Sequence, residues 1–109
     1  MINKIYSMIG LAMKAGKVAF GSDMCEDKIK RKDGKDVSLI IIAEDTSINT
    51  KDKFIKLASL YNINIVVFGK IDLLSSSIGK SNKGVFAVLD NGFGNKILQM
   101  VKELKGANK

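Results

Sequence analysis

The sequence predicts an α/β fold, a three-layer α-β-α sandwich around a central four-stranded mixed sheet. Segments with apolar residues at helical spacing alternate along the chain with short apolar runs, in the order α-β-α-β-α-β-α-β-α. One run, VSLIIIA at residues 37–43, is continuous and β-branched, which is typical of a strand buried on both faces. This alternation predicts a sheet that carries helices on both faces.

The N-terminal segment predicts a helix followed by a short strand. Apolar residues recur at i, i+3, i+4 spacing over residues 2–14, and the Ala15-Gly16 pair that follows ends the helix. Residues 17–20 are the candidate for the first strand, which stops at the next glycine.

A second helix is predicted from Ser22 or Asp23 to about residue 32. Both residues belong to the types that cap helix starts, and Glu26 follows Asp23 at the spacing of a capping box. The Asp33-Gly34 pair then ends the helix.

The remaining elements continue the alternation, and Asn62 suits the C-terminal exit of the third helix. The predicted strands are residues 37–43, 63–68 and 85–89, and the predicted helices are residues 50–61, residues 72–78 and a last helix from residue 90 or 91.

The composition indicates one domain, residues 1–109, with an anionic partner. The net charge of +7 is typical of small domains that bind nucleic acid, although a highly soluble protein without such a partner has the same composition. The single cysteine excludes an internal disulfide and favours a reducing cytoplasm, while the lack of histidine argues against a zinc site. No apolar run approaches the ~20 residues that span a bilayer, so we expect no membrane partner.

Candidate catalytic groups are few, and we expect no enzyme, cofactor, metal site or small-molecule substrate. The acidic pair Glu44-Asp45 follows the hydrophobic strand, where acid–base or metal chemistry often resides, but turn and helix-start polarity explains it better. Cys25 lacks a histidine base and falls on the inner helix face with Ile29, which predicts a buried small residue. The GKSNKG segment at residues 79–84 lacks the spacing of a phosphate-binding glycine motif.

Glycines and lysines near two predicted helix and strand boundaries favour RNA contacts. Gly21 and Ser22 open a helix that carries Lys28 and the basic residues 30–32, and residues 79–84 form a basic loop before the last strand. Lysines, backbone amides and small polar groups are what phosphate and ribose contacts require. A solvated helix face and an ordinary surface loop would have the same residues.

Three stretches resemble the kink-turn-binding ribosomal protein family, the "seven-Ae / thirty-e" type, and look most like its bacterial YlxQ-type branch. They are IGLAMKAGKVAFGSD, LIIIAEDTS and SIGKSNKGVFAVLDNGFGNKI, in family order across almost the whole chain. The resemblance implies the α-β-α sandwich and binding to structured RNA without catalysis. The implied target is a kink-turn, a bent duplex with sheared G·A pairs and an extruded base, and ribosomes or another ribonucleoprotein are candidate partners.

The resemblance also implies which residues face RNA. The family signature of glycine, small residue, asparagine and glutamate falls on Gly21, Ser22, Asp23 and Met24, so its last two positions differ here. A carboxylate only accepts hydrogen bonds and repels phosphate, so we expect weaker or less selective kink-turn binding. With Arg31, which comes from the basic run of the second helix and not from the resemblance, the candidate RNA-binding residues are Gly21, Ser22, Asp23, Met24, Lys28, Arg31, Glu44, Ile78, Gly79, Lys80, Ser81 and Lys83.

Two functions of different classes therefore remain open. The leading hypothesis is a cytoplasmic RNA-binding module for a kink-turn or related bend. The alternative is a protein-interaction adaptor on the same fold, whose RNA surface has drifted at Asp23 and Met24.

Overall fold

Helices and strands alternate in the order that the apolar spacing predicts. The structure is a computed structural model that describes residues 2–107, without the side chain of residue 107. The elements are α1 (Ile2–Lys14), β1 (Val18–Phe20), α2 (Ser22–Lys30), a 3-10 turn (Arg31–Gly34), β2 (Leu39–Ile42), α3 (Ile48–Tyr61), β3 (Asn64–Val67), α4 (Ile71–Ser77), β4 (Val85–Val88) and α5 (Asn91–Ala107). Within residues 2–107, none of the helices has the length and apolar character that a membrane crossing requires.

The four strands form one mixed sheet in the order β1-β4-β2-β3. Strand β4 pairs antiparallel with both β1 and β2, whereas β2 and β3 pair in parallel. The parallel pair needs the crossover helix α3 between its strands, as such connections do. The prediction of a four-stranded mixed sheet is confirmed.

Side chains alternate across the central strand β2 and divide the core into two halves. Leu39 and Ile41 pack with residues of α1, α4 and α5 on one face, while Ile40 and Ile42 pack with residues of α2 and α3 on the other. All four side chains are fully buried, as the continuous apolar run predicts for an interior strand. The three layers of the predicted sandwich follow from this division.

The start of α2 differs from the predicted capping box. The helix begins at Ser22, its N-cap residue is Gly21, and no side chain caps it. Glu26, the other half of the predicted box, forms ion pairs with Lys30 and with Lys53 of α3. The capping-box prediction is wrong for two reasons. The turn before α2 is formed by the backbone conformation of Gly21, and the Glu26 side chain forms an ion pair with a neighbouring helix.

Other boundaries shift by a few residues. Helix α2 ends two residues before the predicted position, because Lys32 and Asp33 adopt left-handed conformations in the 3-10 turn. Helix α3 starts at Ile48, two residues early, with Ser47 as an N-cap whose hydroxyl accepts from the Thr50 amide. The predicted role of Asn62 is confirmed, since it ends α3 in the left-handed conformation.

Candidate nucleic-acid interface

One edge of the sheet brings together loops that are distant in sequence. Phe20 at the end of β1 pairs with Phe86 near the start of β4, and Ile42 at the end of β2 pairs with both Val85 and Val67. The loops after β1, β2 and β3 and the loop before β4 therefore meet at this edge. We refer to it as the loop edge; most of the RNA-facing residues implied by the resemblance lie on its loops.

Gly21 makes the turn from β1 into α2. Its φ of 86° and ψ of 152° lie in a region that is essentially restricted to glycine. Its amide donates to the Val85 carbonyl at 2.9 Å, which ties the turn to the first residue of β4. The glycine therefore fixes the helix start against the neighbouring strand and leaves no side chain over the backbone there.

The first turns of α2 present both acidic and apolar side chains. Asp23 is exposed, and Met24 is 44% exposed although it is a large apolar residue. Lys28 lies one helical turn beyond Met24 on the same flank and is half-buried. Cys25 and Ile29 line the buried side of the helix, as predicted.

Arg31 lies away from the loop edge. It follows the last residue of the nine-residue helix α2, whose length of about 13 Å separates it from Gly21. Its Nη2 atom donates to Asp27 Oδ2 at 3.2 Å. The charge run that suggested Arg31 therefore does not bring it beside the other candidate residues.

Glu44 and Asp45 hold neighbouring loops of this edge together. Glu44 Oε2 accepts from the Gly69 amide at 3.1 Å, and its Oε1 lies 3.5 Å from Lys70 Nζ. Asp45 Oδ1 accepts from the Ile71 amide at 2.9 Å, at the start of α4. These contacts explain the acidic pair as loop and helix-start polarity, which is the interpretation favoured from the sequence.

The loop between α4 and β4 is anchored by a buried serine. Ser75 Oγ accepts from the Lys83 amide at 2.8 Å and donates to the Lys83 carbonyl at 3.0 Å, while the Ser75 carbonyl accepts from the Lys80 amide at 2.9 Å. Ser75 is only 1% exposed. Ile78, at the end of α4, is also buried, whereas Gly79, Lys80 and Ser81 are exposed. Both lysines of the loop thus project from a fixed backbone.

Sequence reasoning missed Phe20, which lies between the two halves of the candidate site. Lys80 Nζ is 5.2 Å and Lys83 Nζ is 5.8 Å from the centroid of its ring. Both distances are within the range of cation–π contacts. The available signal was an aromatic residue directly before the Gly21 turn, but the lysines are sixty or more residues away in sequence.

Three titratable side chains of α2, those of Cys25, Glu26 and Lys30, have shifted pKa values, and none is suited to catalysis. Burial raises the pKa of the Cys25 thiol to about 12, so the reactive thiolate is scarce at neutral pH. Hydrogen bonds from Lys30 and Lys53 lower the pKa of Glu26 to about 2. The hydrogen bond to Glu26 raises the pKa of Lys30. Within residues 2–107, no three histidine, cysteine, aspartate or glutamate side chains cluster as the ligands of a metal ion would.

Comparisons with known proteins agree with this fold. The model of the ribosomal protein L7Ae/L30e/S12e/Gadd45 family matches residues 3–98. The RNA-binding protein YlxQ of Enterococcus faecium is 32% identical over 99 residues, which cover 91% of this chain and 92% of that protein. The YlxQ protein of Bacillus subtilis (strain 168) is also 32% identical, over 88% of this chain and 93% of that protein. Both names describe RNA-binding proteins, in agreement with the expectation that the chain is not an enzyme.

Two solved structures are similar in fold. A protein of unknown function from Bacillus halodurans superposes with a TM-score of 0.85 at 29% identity, over 91% of this chain and 97% of that one. The Giardia lamblia 15.5kD RNA binding protein gives a TM-score of 0.75 at 15% identity, over 93% of this chain and 84% of that one. At that identity the second likeness concerns the fold alone.

Proposed function

The chain belongs to the ribosomal protein L7Ae/L30e/S12e/Gadd45 family, and from this premise we propose that it binds structured RNA, with a kink-turn or a related bent motif as the target. The observation that carries the proposal is the meeting of the Gly21 turn with the Lys80 and Lys83 loop at one edge of the sheet. The names of the two YlxQ relatives support the RNA-binding part. We further propose that residues 1–109 act as one domain, in the cytoplasm, with ribosomes or another ribonucleoprotein as the setting.

In this proposal each part of the loop edge has a separate task. Gly21 and Ser22 allow RNA to approach the backbone closely, because the glycine has no side chain. Lys80, Lys83 and Lys28 bind phosphates. Asp23 accepts a hydrogen bond from a guanine amino group, which is a donor available on the edge of a G·A pair.

Several residues of the implied site have supporting tasks. Glu44 links its loop to the loop of Gly69 and Lys70. In this proposal it shapes the loop edge and does not contact an RNA phosphate. Ile78 is 6% exposed, so its contact with an extruded base would be limited to a small part of its side chain. Arg31 would add only a peripheral phosphate contact, because it lies at the far end of α2.

The proposal is tested by titrating the protein with a kink-turn RNA and with a copy whose G·A pairs are replaced by Watson–Crick pairs. We expect tighter binding to the kink-turn at moderate salt, with a smaller ratio than for a relative that has asparagine and glutamate at positions 23 and 24. Equal affinity for both RNAs would remove the kink-turn claim and leave polyanion binding. No binding to either RNA would remove the RNA-binding function.

A second candidate function is a protein-interaction adaptor on the same fold. The observation that favours it is the pair Asp23 and Met24, which places a repelling charge and an exposed apolar side chain on the first turn of α2. Affinity capture from a nuclease-treated lysate distinguishes the two functions. A defined protein that stays bound after RNA digestion, and is lost with Met24→Lys, favours the adaptor.

A further inference from the structure

Phe20 occupies the point where the β1 strand, the Gly21 turn and the basic loop meet. It is the last residue of β1, it pairs with Phe86, and it is half-buried against the core on the α1, α4 and α5 side. The ammonium groups of Lys80 and Lys83 lie 5.2 and 5.8 Å from its ring centroid. One aromatic ring is therefore the shared neighbour of both lysines of the loop.

We infer that Phe20 is a positioning residue, which holds Lys80 and Lys83 together as one binding site for the phosphates of an RNA backbone. The inference rests on the proposed RNA-binding function and deepens it, because it assigns a role to a residue that the resemblance does not include.

The backbone alone does not place the two charges. Ser75 fixes the main chain at Lys80 and Lys83, but each lysine side chain has four further rotatable bonds. Ordering a long side chain costs rotamer entropy. A ring that attracts both ammonium groups restricts them before RNA arrives, so binding loses less freedom on ordering them.

The positive charges of Lys80 and Lys83 favour binding of an anion. In the part of the chain that the structure describes, neither lysine forms an ion pair with a carboxylate, whereas Arg31 and Lys70 both do. Two cations near one ring repel each other, and the negative face of the ring offsets part of that repulsion. A phosphate between or beside the two ammonium groups offsets the remaining repulsion. The pair of lysines in the free protein is therefore a site that favours binding of an anion.

Direct stacking of an RNA base on Phe20 is the competing role for an aromatic residue at such an edge. The positions of the two ammonium groups favour the positioning role, because they lie around the ring where a base would stack. The two roles predict different behaviour once the lysines are removed.

The experiment compares Phe20→Leu with Phe20→Tyr, which keeps an aromatic face, in binding to the kink-turn RNA across a salt series. We expect Phe20→Leu to weaken binding about fivefold and to flatten the salt dependence, and Phe20→Tyr to retain both. In a background with Lys80→Met and Lys83→Met, Phe20→Leu should have no further effect on affinity. An undiminished effect in that background would overturn the inference and assign direct stacking.

A measurement without RNA separates this inference from the proposed function. In NMR spectra of the free protein, the ring current of Phe20 should displace the ε-methylene signals of Lys80 and Lys83. Phe20→Leu should remove the displacement, while the ε-methylene signals of Lys28 and Lys102 should not move. Unchanged Lys80 and Lys83 signals in Phe20→Leu would refute the inference even if RNA binds. Absence of RNA binding by the natural protein, with the displacement present, would refute the proposed function and the assignment of RNA phosphates to this site, and would leave the positioning of the two lysines by Phe20 in place.

Discussion

Gly21 is the residue whose backbone most directly shapes the loop edge. An L-residue at its φ of 86° and ψ of 152° is strained, because its Cβ crowds its own backbone. We predict that Gly21→Ala lowers the free energy of unfolding by about 1–3 kcal/mol, measured by urea denaturation. Gly106→Ala is the matched control, since this glycine lies in α5 and gains helix propensity on substitution. Equal effects of the two variants would contradict the role given to Gly21.

Asp23 is the residue at which the proposed RNA selectivity can be altered without touching the fold. Its side chain is exposed, so Asp23→Asn removes a charge that repels phosphate and supplies an amide that both donates and accepts. We predict about fivefold tighter binding to the kink-turn RNA in a titration, with a larger preference over the copy without G·A pairs. Asp52→Asn, on the exposed side of α3, makes the same change in net charge. A similar gain in Asp52→Asn would attribute the effect to overall charge.

Among the elements, the loop from α4 to β4 depends on Ser75. This side chain is buried and satisfies both the amide and the carbonyl of Lys83. We predict that Ser75→Ala lowers the free energy of unfolding by about 1–3 kcal/mol, because it leaves two polar groups without a partner. Urea denaturation is the measurement. Ser77→Ala is the control, because its hydroxyl donates to the Leu74 carbonyl within the same helix. Equal losses in both variants would contradict the anchoring role.

Contact between α2 and α3 includes the ion pairs of Glu26 with Lys30 and Lys53. Their hydrogen bonds lower the pKa of Glu26 from 4.5 to about 2, so its stabilisation is present above pH 4.5 and is lost as the pH falls towards 2. We predict that Glu26→Gln reduces the fall in stability over this interval, measured by urea midpoints at successive pH values. Glu103→Gln is the comparison, because Glu103 accepts from Gln99 on the same helix. An unchanged pH profile in Glu26→Gln would contradict the prediction.

The net charge of +7 attracts RNA to the whole molecule, so the contribution of the loop edge to RNA affinity must be separated from that of the remaining surface. If RNA binds at the loop edge, Lys80→Met should weaken binding and lower the slope of log affinity against log salt by about one. Lys102→Met, on the exposed side of α5, makes the same change in charge and should leave the slope unchanged. Equal slopes in the two variants, measured by titration at several salt concentrations, would mean that attraction is spread over the surface.

Much of the fold follows from local sequence, whereas the site follows only in part. Apolar spacing predicted the five α-helices and four strands of the described residues, but not the 3-10 turn after α2, because burial repeats with the period of each regular element. The capping box at Asp23 and Glu26 was wrong because Glu26 contacts Lys53, a residue of another helix. Arg31 belonged to a charge run in sequence, yet the geometry of α2 carries it away from the other candidates.

The sequence by itself determined the alternation of elements, the fully apolar interior strand, the burial of Cys25 and the basic balance of the chain. Each of these depends on residue type and on neighbours within a few positions. The tertiary structure decided that Phe20 meets Lys80 and Lys83, and that Ser75 holds their loop. The meeting at Phe20 requires β1 to pair with β4, a choice of strand order that local propensity does not encode.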